Sequence, residues 1–409
     1  MSDQESTIMI DSKAGIIGLA IGDAMGVPIE FLDRKVLLKN PVTKMLGEQI
    51  HFMPKGSWSD DTSLNLALID SINNKKGIDL YDIGQNFIAW GENGKYTPTG
   101  KTFGMGKITL NAIAKLERGD IKPEACGGNT ETANGNGSLM RILPIAYYCY
   151  SKKCADQEVY NMVKQVSSLT HAHEISIMGC YIYVKFAIEL LSGNDIKKAY
   201  KRIKKLKYEY FSDDCKNLYS RVIKDNIGEL KLADINSSGY VVDTLESTLW
   251  ILLNTNNYNQ AVIGAINLGG DTDTIGACTG GLAGIYYGFE NINETWKNEL
   301  IKYDYIIDLC HKFDDILNND DVKSQNQTTN QVSERRKRNE AHADMIANLM
   351  IANLKKSGSR SSGQKQAKSK PDQSIAQKQA KTSSTEKLKQ TQKKTQNKAK
   401  KSQSFFQNR

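Results

Sequence analysis

At 409 residues and 39% hydrophobic content, the chain has material for one large domain or two ordinary ones, with some length left unpacked. The net charge of +8 hides two opposite bodies: residues 321–409 hold 21 Lys and Arg against 6 Asp and Glu, a net of +15, which leaves −7 on residues 1–320. Seven Cys with no CxxC pair exclude zinc ribbons and thioredoxin-like chemistry, and no charge-free apolar run reaches the roughly 18 residues of a membrane span.

Taken in chain order, the acidic body predicts helix after helix. Residues 12–26 carry small and apolar residues at helical spacing, with Gly18, Gly22 and Gly26 four apart on one face. Residues 63–72 place Leu64, Leu68 and Ile72 on a stripe, and residues 175–191 are apolar enough for a central buried helix. Residues 241–253 and 260–268 follow, and then 275–288, with Gly276, Gly280, Gly284 and Gly288 again four apart. Alternating strand-type runs are scarce, so the expected class is all-α. Glycine in a helix interior costs about 1 kcal/mol relative to alanine. Two such ladders therefore predict close helix–helix packing, and with it the N-termini of these helices meeting in one place.

Two acidic clusters sit immediately before helices: Ser59–Asp60–Asp61–Thr62 and Asp271–Thr272–Asp273–Thr274. Ser, Asp and Thr cap helices, and first-turn acids favour the macrodipole, so capping alone accounts for one such residue in each. Three or four oxygen ligands apiece exceed that need. Four aspartates brought together repel unless cations neutralise them, and oxygen donors without converging His or Cys favour Mg²⁺ or Mn²⁺ over zinc. Adjacent Asp60 and Asp61 point about 100° apart at a helix start, one toward each of two ions.

The segments GLAIGDAMGVPIEF (18–31), GSWSDDTSLNLAL (56–68), NGNGSLMRILPIA (134–146), THAHEISIMG (170–179), GYVVDTLESTLW (239–250) and NLGGDTDTIGACTGGLAGIYYG (267–288) follow one another in this order. Together they resemble the ADP-ribosylglycohydrolases, which include the enzyme that reactivates dinitrogenase reductase, and the resemblance implies a compact orthogonal multi-helix domain over residues 12–315. The resemblance implies a binuclear Mg²⁺ or Mn²⁺ site held by Asp60, Asp61, Asp271, Asp273 and Thr274, with Ser59 where the family usually has Thr. It places Glu30 beside the metals and the scissile ribose, and puts Glu30, Asp60 and Asp273 in the chemical step. It gives the Asn136–Gly137–Ser138 turn and His171 to the ribose and diphosphate, and Tyr240 to the adenosine side. Arg141 reads as a structural residue paired with a carboxylate. One departure stands out. Arginine-specific members often carry an acid in an F-D-I-G segment, where this chain has Phe103–Gly104–Met105–Gly106. That departure argues against arginine specificity and leaves serine-linked, polymeric and small-molecule substrates open.

The implied activity is metal-dependent release of ADP-ribose from an ADP-ribosylated protein or ADP-ribose derivative. A non-hydrolysing ADP-ribose reader and a metal-dependent phosphohydrolase use the same oxygen-ligand logic and stand as alternatives. Residues 321–409 read as a disordered basic tail in which 333–356 can form one amphipathic helix. The tail suits nucleic acid or poly(ADP-ribose), and Arg335–Arg336–Lys337–Arg338 suits nuclear import in a eukaryotic host. Free thiols and a polar N-terminus predict an intracellular, cytoplasmic monomer with no signal peptide.

Overall fold

A computed structural model describes residues 9–319, and among them every regular element is a helix. The expected segments appear with modest shifts at their ends, as Lys13–Gly26, Asp60–Lys75, Glu174–Leu191, Val241–Asn254, Tyr258–Ile266 and Thr272–Tyr287. The Asp60–Lys75 helix starts three residues earlier than the apolar stripe suggests, because Ser59 caps it by accepting from Asp61 N. The Glu174–Leu191 helix is buried around most of its circumference, and Tyr183 Oη donates to Cys278 O at 2.9 Å, tying it to the Thr272–Tyr287 helix. Two isolated bridges, Gly128 with His171 and Gly135 with Tyr240, are the nearest approach to strand pairing among the described residues. The tail, with the helix expected at 333–356 and the basic run, lies outside the described residues.

The glycine ladders face each other. Gly18 lies against Gly280, Gly22 against Gly276 and Gly26 against Thr272 and Asp273, so the first helix and the Thr272–Tyr287 helix run antiparallel with their backbones in contact. This corrects the expectation that their N-termini meet. The C-terminal end of the first helix, which leads into Glu30, reaches the N-terminus of the Thr272 helix instead. The N-terminus that does join the Thr272 helix is that of Asp60–Lys75, brought in by Asp23 of the first helix. Three polar segments far apart in sequence thereby share one buried corner.

Candidate active site

Asp23 organises the corner from beneath. It is fully buried, and its carboxylate accepts from Ser59 N at 2.9 Å, Thr62 N at 3.0 Å and Thr62 Oγ1 at 2.6 Å. These are orphan donors of the first turn, so Asp23 caps the Asp60–Lys75 helix from another element. The sequence reading missed it. The available signal was a lone carboxylate in a helix of small and apolar residues, a position where an unpaired charge is costly.

Two sets of acids converge above it. Carboxylate oxygens of Asp23, Asp61 and Asp273 lie within 4.8 Å of one another, and so do those of Glu30, Asp271 and Asp273. Asp273 belongs to both sets. Asp60 belongs to neither, although it is 6% exposed and close enough to feel the charges of Asp23, Glu30 and Asp271. Ser59 Oγ donates to Asp61 Oδ2 at 2.8 Å, and Thr274 N donates to Asp273 Oδ1 at 2.9 Å. Capping does not explain the second cluster, because Asp271 makes no side-chain cap bond. Its carboxylate accepts from Asn136 Nδ2 at 2.7 Å instead.

Burial pushes the carboxyls of Asp60, Asp61 and Asp273 well above the ordinary range, and neighbouring acids push them further. Burial also raises Asp23, to about 6 despite its hydrogen bonds, and raises Glu30 with a contribution from Asp271. Asp61 Oδ1 is buried with no hydrogen-bond partner. An all-oxygen donor set with one orphaned carboxylate oxygen fits hard divalent ions.

The glycine-rich turn and His171 come together beside the acids. His171 is 2% exposed, its ring lies against Gly137, and its Nδ1 shares a 2.8 Å hydrogen bond with Thr170 Oγ1. Burial and the Arg141 charge hold it neutral, with its pKa lowered to about 3. Asn136 spans Thr244 Oγ1 at 2.9 Å and Asp271, which links this turn directly to the second acid set. Ser138 Oγ is committed to the interior, accepting from Ser167 Oγ at 2.9 Å. Tyr240 is half-buried and sits across from Gly135. Arg141 is structural, but its partners are carbonyls. It donates to Gly137 O and Val166 O and lies over the Phe87 ring at 4.8 Å, with no carboxylate in ion-pair distance.

Two residues on the rim complete the site. His51 Nε2 contacts Glu30 Oε2, and the His51 ring leans on Phe103 with centroids 5.4 Å apart. Next to Phe103, Gly104 has φ +79°, and any side chain there would run into Asp60 Oδ1. On this backbone the space beside Gly104 is taken by the Asp60 carboxylate.

Residues 10–326 match the ADP-ribosylglycohydrolase family. The chain is similar to an ADP-ribosylarginine hydrolase of Serratia proteamaculans, 32% identical over 75% of this chain and 80% of that protein. It is similar to an ADP-ribosyl-[dinitrogen reductase] glycohydrolase of Rhodospirillum rubrum, at 27% identity over 69% of this chain and 88% of that one. A solved structure titled as an ADP-ribosylglycohydrolase-related protein complex superposes with a TM-score of 0.63, at 25% identity, over 75% of this chain and 98% of that one.

Proposed function

The chain belongs to the ADP-ribosylglycohydrolase family, and from that premise we propose that it releases ADP-ribose from an ADP-ribosylated protein, with two Mg²⁺ or Mn²⁺ ions as cofactors. The observation that carries this reading is the pair of acid sets sharing Asp273, with the buried Asp61 Oδ1 unpartnered. Asp23, Asp61 and Asp273 would hold one ion, and Glu30, Asp271 and Asp273 the other. Ser59, bonded to Asp61, Thr274, bonded to Asp273, and Asp60 are the remaining candidates for the coordination. When bound, the ions supply Lewis acidity to the ribose hydroxyls and lower the pKa of an attacking water.

The protein's own groups account for the rest. Cleavage passes through an oxocarbenium-like ribose, and a carboxylate with a raised pKa is suited to shuttle a proton there. Glu30 is the member of the second acid set that meets His51 at the rim, and we assign the shuttle to it. Neutral His171 and the Asn136–Ser138 backbone would fix the diphosphate, and Tyr240 the adenosine side. We place arginine-linked ADP-ribose first among the linkages. Two relatives at 31–32% identity are ADP-ribosylarginine hydrolases, which we weigh above the missing acid at Gly104.

Product analysis tests this against both rivals. Free ADP-ribose released from arginine-modified protein supports the reading. AMP or phosphate points to a phosphohydrolase, and retained ADP-ribose binding without release points to a reader. The basic tail is proposed as a separate polyanion-binding arm for nucleic acid or poly(ADP-ribose), whose affinity falls steeply with salt. Deleting residues 321–409 without loss of that binding removes the arm from the account.

A further inference from the structure

Glu30 is held at both ends. Its backbone is pinned to the second acidic cluster, because Phe31 N donates to Gly270 O at 2.7 Å and Gly270 N donates to Leu32 O at 3.0 Å. Its carboxylate is held by His51, and among the described residues no other member of the two acid sets lies within 4 Å of a basic side-chain nitrogen. His51 comes from the irregular stretch between the Arg34–Lys39 and Asp60–Lys75 helices, which Ile50 N fastens to Pro28 O at 3.4 Å. On its far side the ring rests on Phe103.

The backbone carries strain here. Phe31 and Phe52, the residues just after Glu30 and His51, both take left-handed conformations, at φ 63° and 52°. Both rings stand in solvent, 71% and 80% exposed. Left-handed backbone is unfavourable for a bulky residue, and exposed rings return nothing through burial. The strain does have one product. It lets Glu30 and His51 turn inward and meet while their aromatic neighbours turn out.

We propose that His51 is a positioning residue for Glu30. Its ring fixes the carboxylate at the edge of the second acid set, and Phe103 fixes the ring. The inference rests on the cation-dependent reading above, and it assigns His51 no contact with substrate.

A double-mutant cycle on the full chain tests it, using His51→Ala, His51→Gln, Glu30→Gln and the pair His51→Ala/Glu30→Gln. Mn²⁺ affinity is read by electron paramagnetic resonance, and kcat and KM by ADP-ribose release. His51→Ala should lower kcat by roughly tenfold or more, the usual scale for losing a group that orients a ligand, with KM nearly unchanged. It should weaken Mn²⁺ binding as far as Glu30→Gln does. His51→Gln, whose amide still donates, should recover most of both losses. In the Glu30→Gln background, removing His51 should add almost nothing. Multiplying effects, or a His51→Gln variant no better than His51→Ala, would overturn the assignment. If the unsubstituted chain releases no ADP-ribose, the functional reading fails by itself, and the Mn²⁺ cycle still decides the role of His51.

Discussion

Gly22 and Gly276 lie backbone to backbone, so close that a Cβ on Gly22 would run into the Gly276 carbonyl. This contact sits between the pairs Gly18–Gly280 and Gly26–Thr272, and it sets how far the first helix slides along its antiparallel partner. That register places Glu30 beside Asp271 and Asp273. Gly22→Ala gains about 1 kcal/mol of helix propensity but must push two backbones apart, at a typical overpacking cost of about 1–3 kcal/mol or more. Thermal denaturation should show net destabilisation, accompanied by weaker Mn²⁺ binding. A stabilised variant, as at an exposed helical glycine, contradicts the packing argument.

Asp23 gives a separate prediction. Asp23→Ala strips the cap from three donors at the start of the Asp60–Lys75 helix, where each stranded buried group costs about 1–3 kcal/mol. Urea denaturation should register a loss of about 3 kcal/mol or more. Asp23→Asn keeps an acceptor oxygen and removes the charge, so it should retain most of the stability while losing Mn²⁺ affinity. Equal metal affinity in Asp23→Asn and the unsubstituted chain removes Asp23 from the donor set.

The raised carboxyls fix the sign of a pH effect. In the chelated protein, Asp23 titrates at about 6 against 3.8 ordinarily, and Glu30, Asp60, Asp61 and Asp273 also shift upward. The folded state therefore keeps protons that the unfolded chain has already released. This contribution to stability is fully present below the unfolded pKa and is lost as pH rises through the folded values. Cations require the deprotonated acids. The rise in melting temperature produced by Mn²⁺ should then be larger at about pH 7.5 than at about pH 5, and an equal rise at both contradicts it.

Much of this was legible in the sequence, for identifiable reasons. The helices follow from apolar periodicity, and the ladders announced a close approach because helical glycine is otherwise a cost. The clusters around Asp60 and Asp271 stood out because each offers more oxygens than a cap uses. Asp23 was legible only as a lone carboxylate among small and apolar residues, since the donors it caps lie 36 residues further on. His51 was not legible, because it lies in an irregular stretch with no periodicity to orient it. The antiparallel sense of the two ladders was also hidden, because a stripe of glycines reads the same in either direction. Arg141 misled for a related reason: a buried guanidinium can be satisfied by carbonyls, and its charge alone does not name its partner.

Ser59 tests the first cluster on its own. Ser59→Ala removes a helix cap worth about 1 kcal/mol and frees Asp61 Oδ2 from its hydroxyl donor. Ser59→Thr keeps the hydroxyl and should retain both stability and metal affinity. A threonine variant as weak as the alanine variant would show that the hydroxyl is not what matters at this position.

The most direct test of the central claim is Mn²⁺ stoichiometry, measured together with ADP-ribose release from arginine-modified protein, for the unsubstituted chain, Asp271→Asn and Asp273→Asn. Because Asp273 belongs to both acid sets and Asp271 to one, the account predicts two ions and chelator-sensitive release for the unsubstituted chain. It predicts about one retained ion for Asp271→Asn, and loss of both ions and of turnover for Asp273→Asn. Release undiminished by chelator, or full turnover in Asp273→Asn, would contradict it.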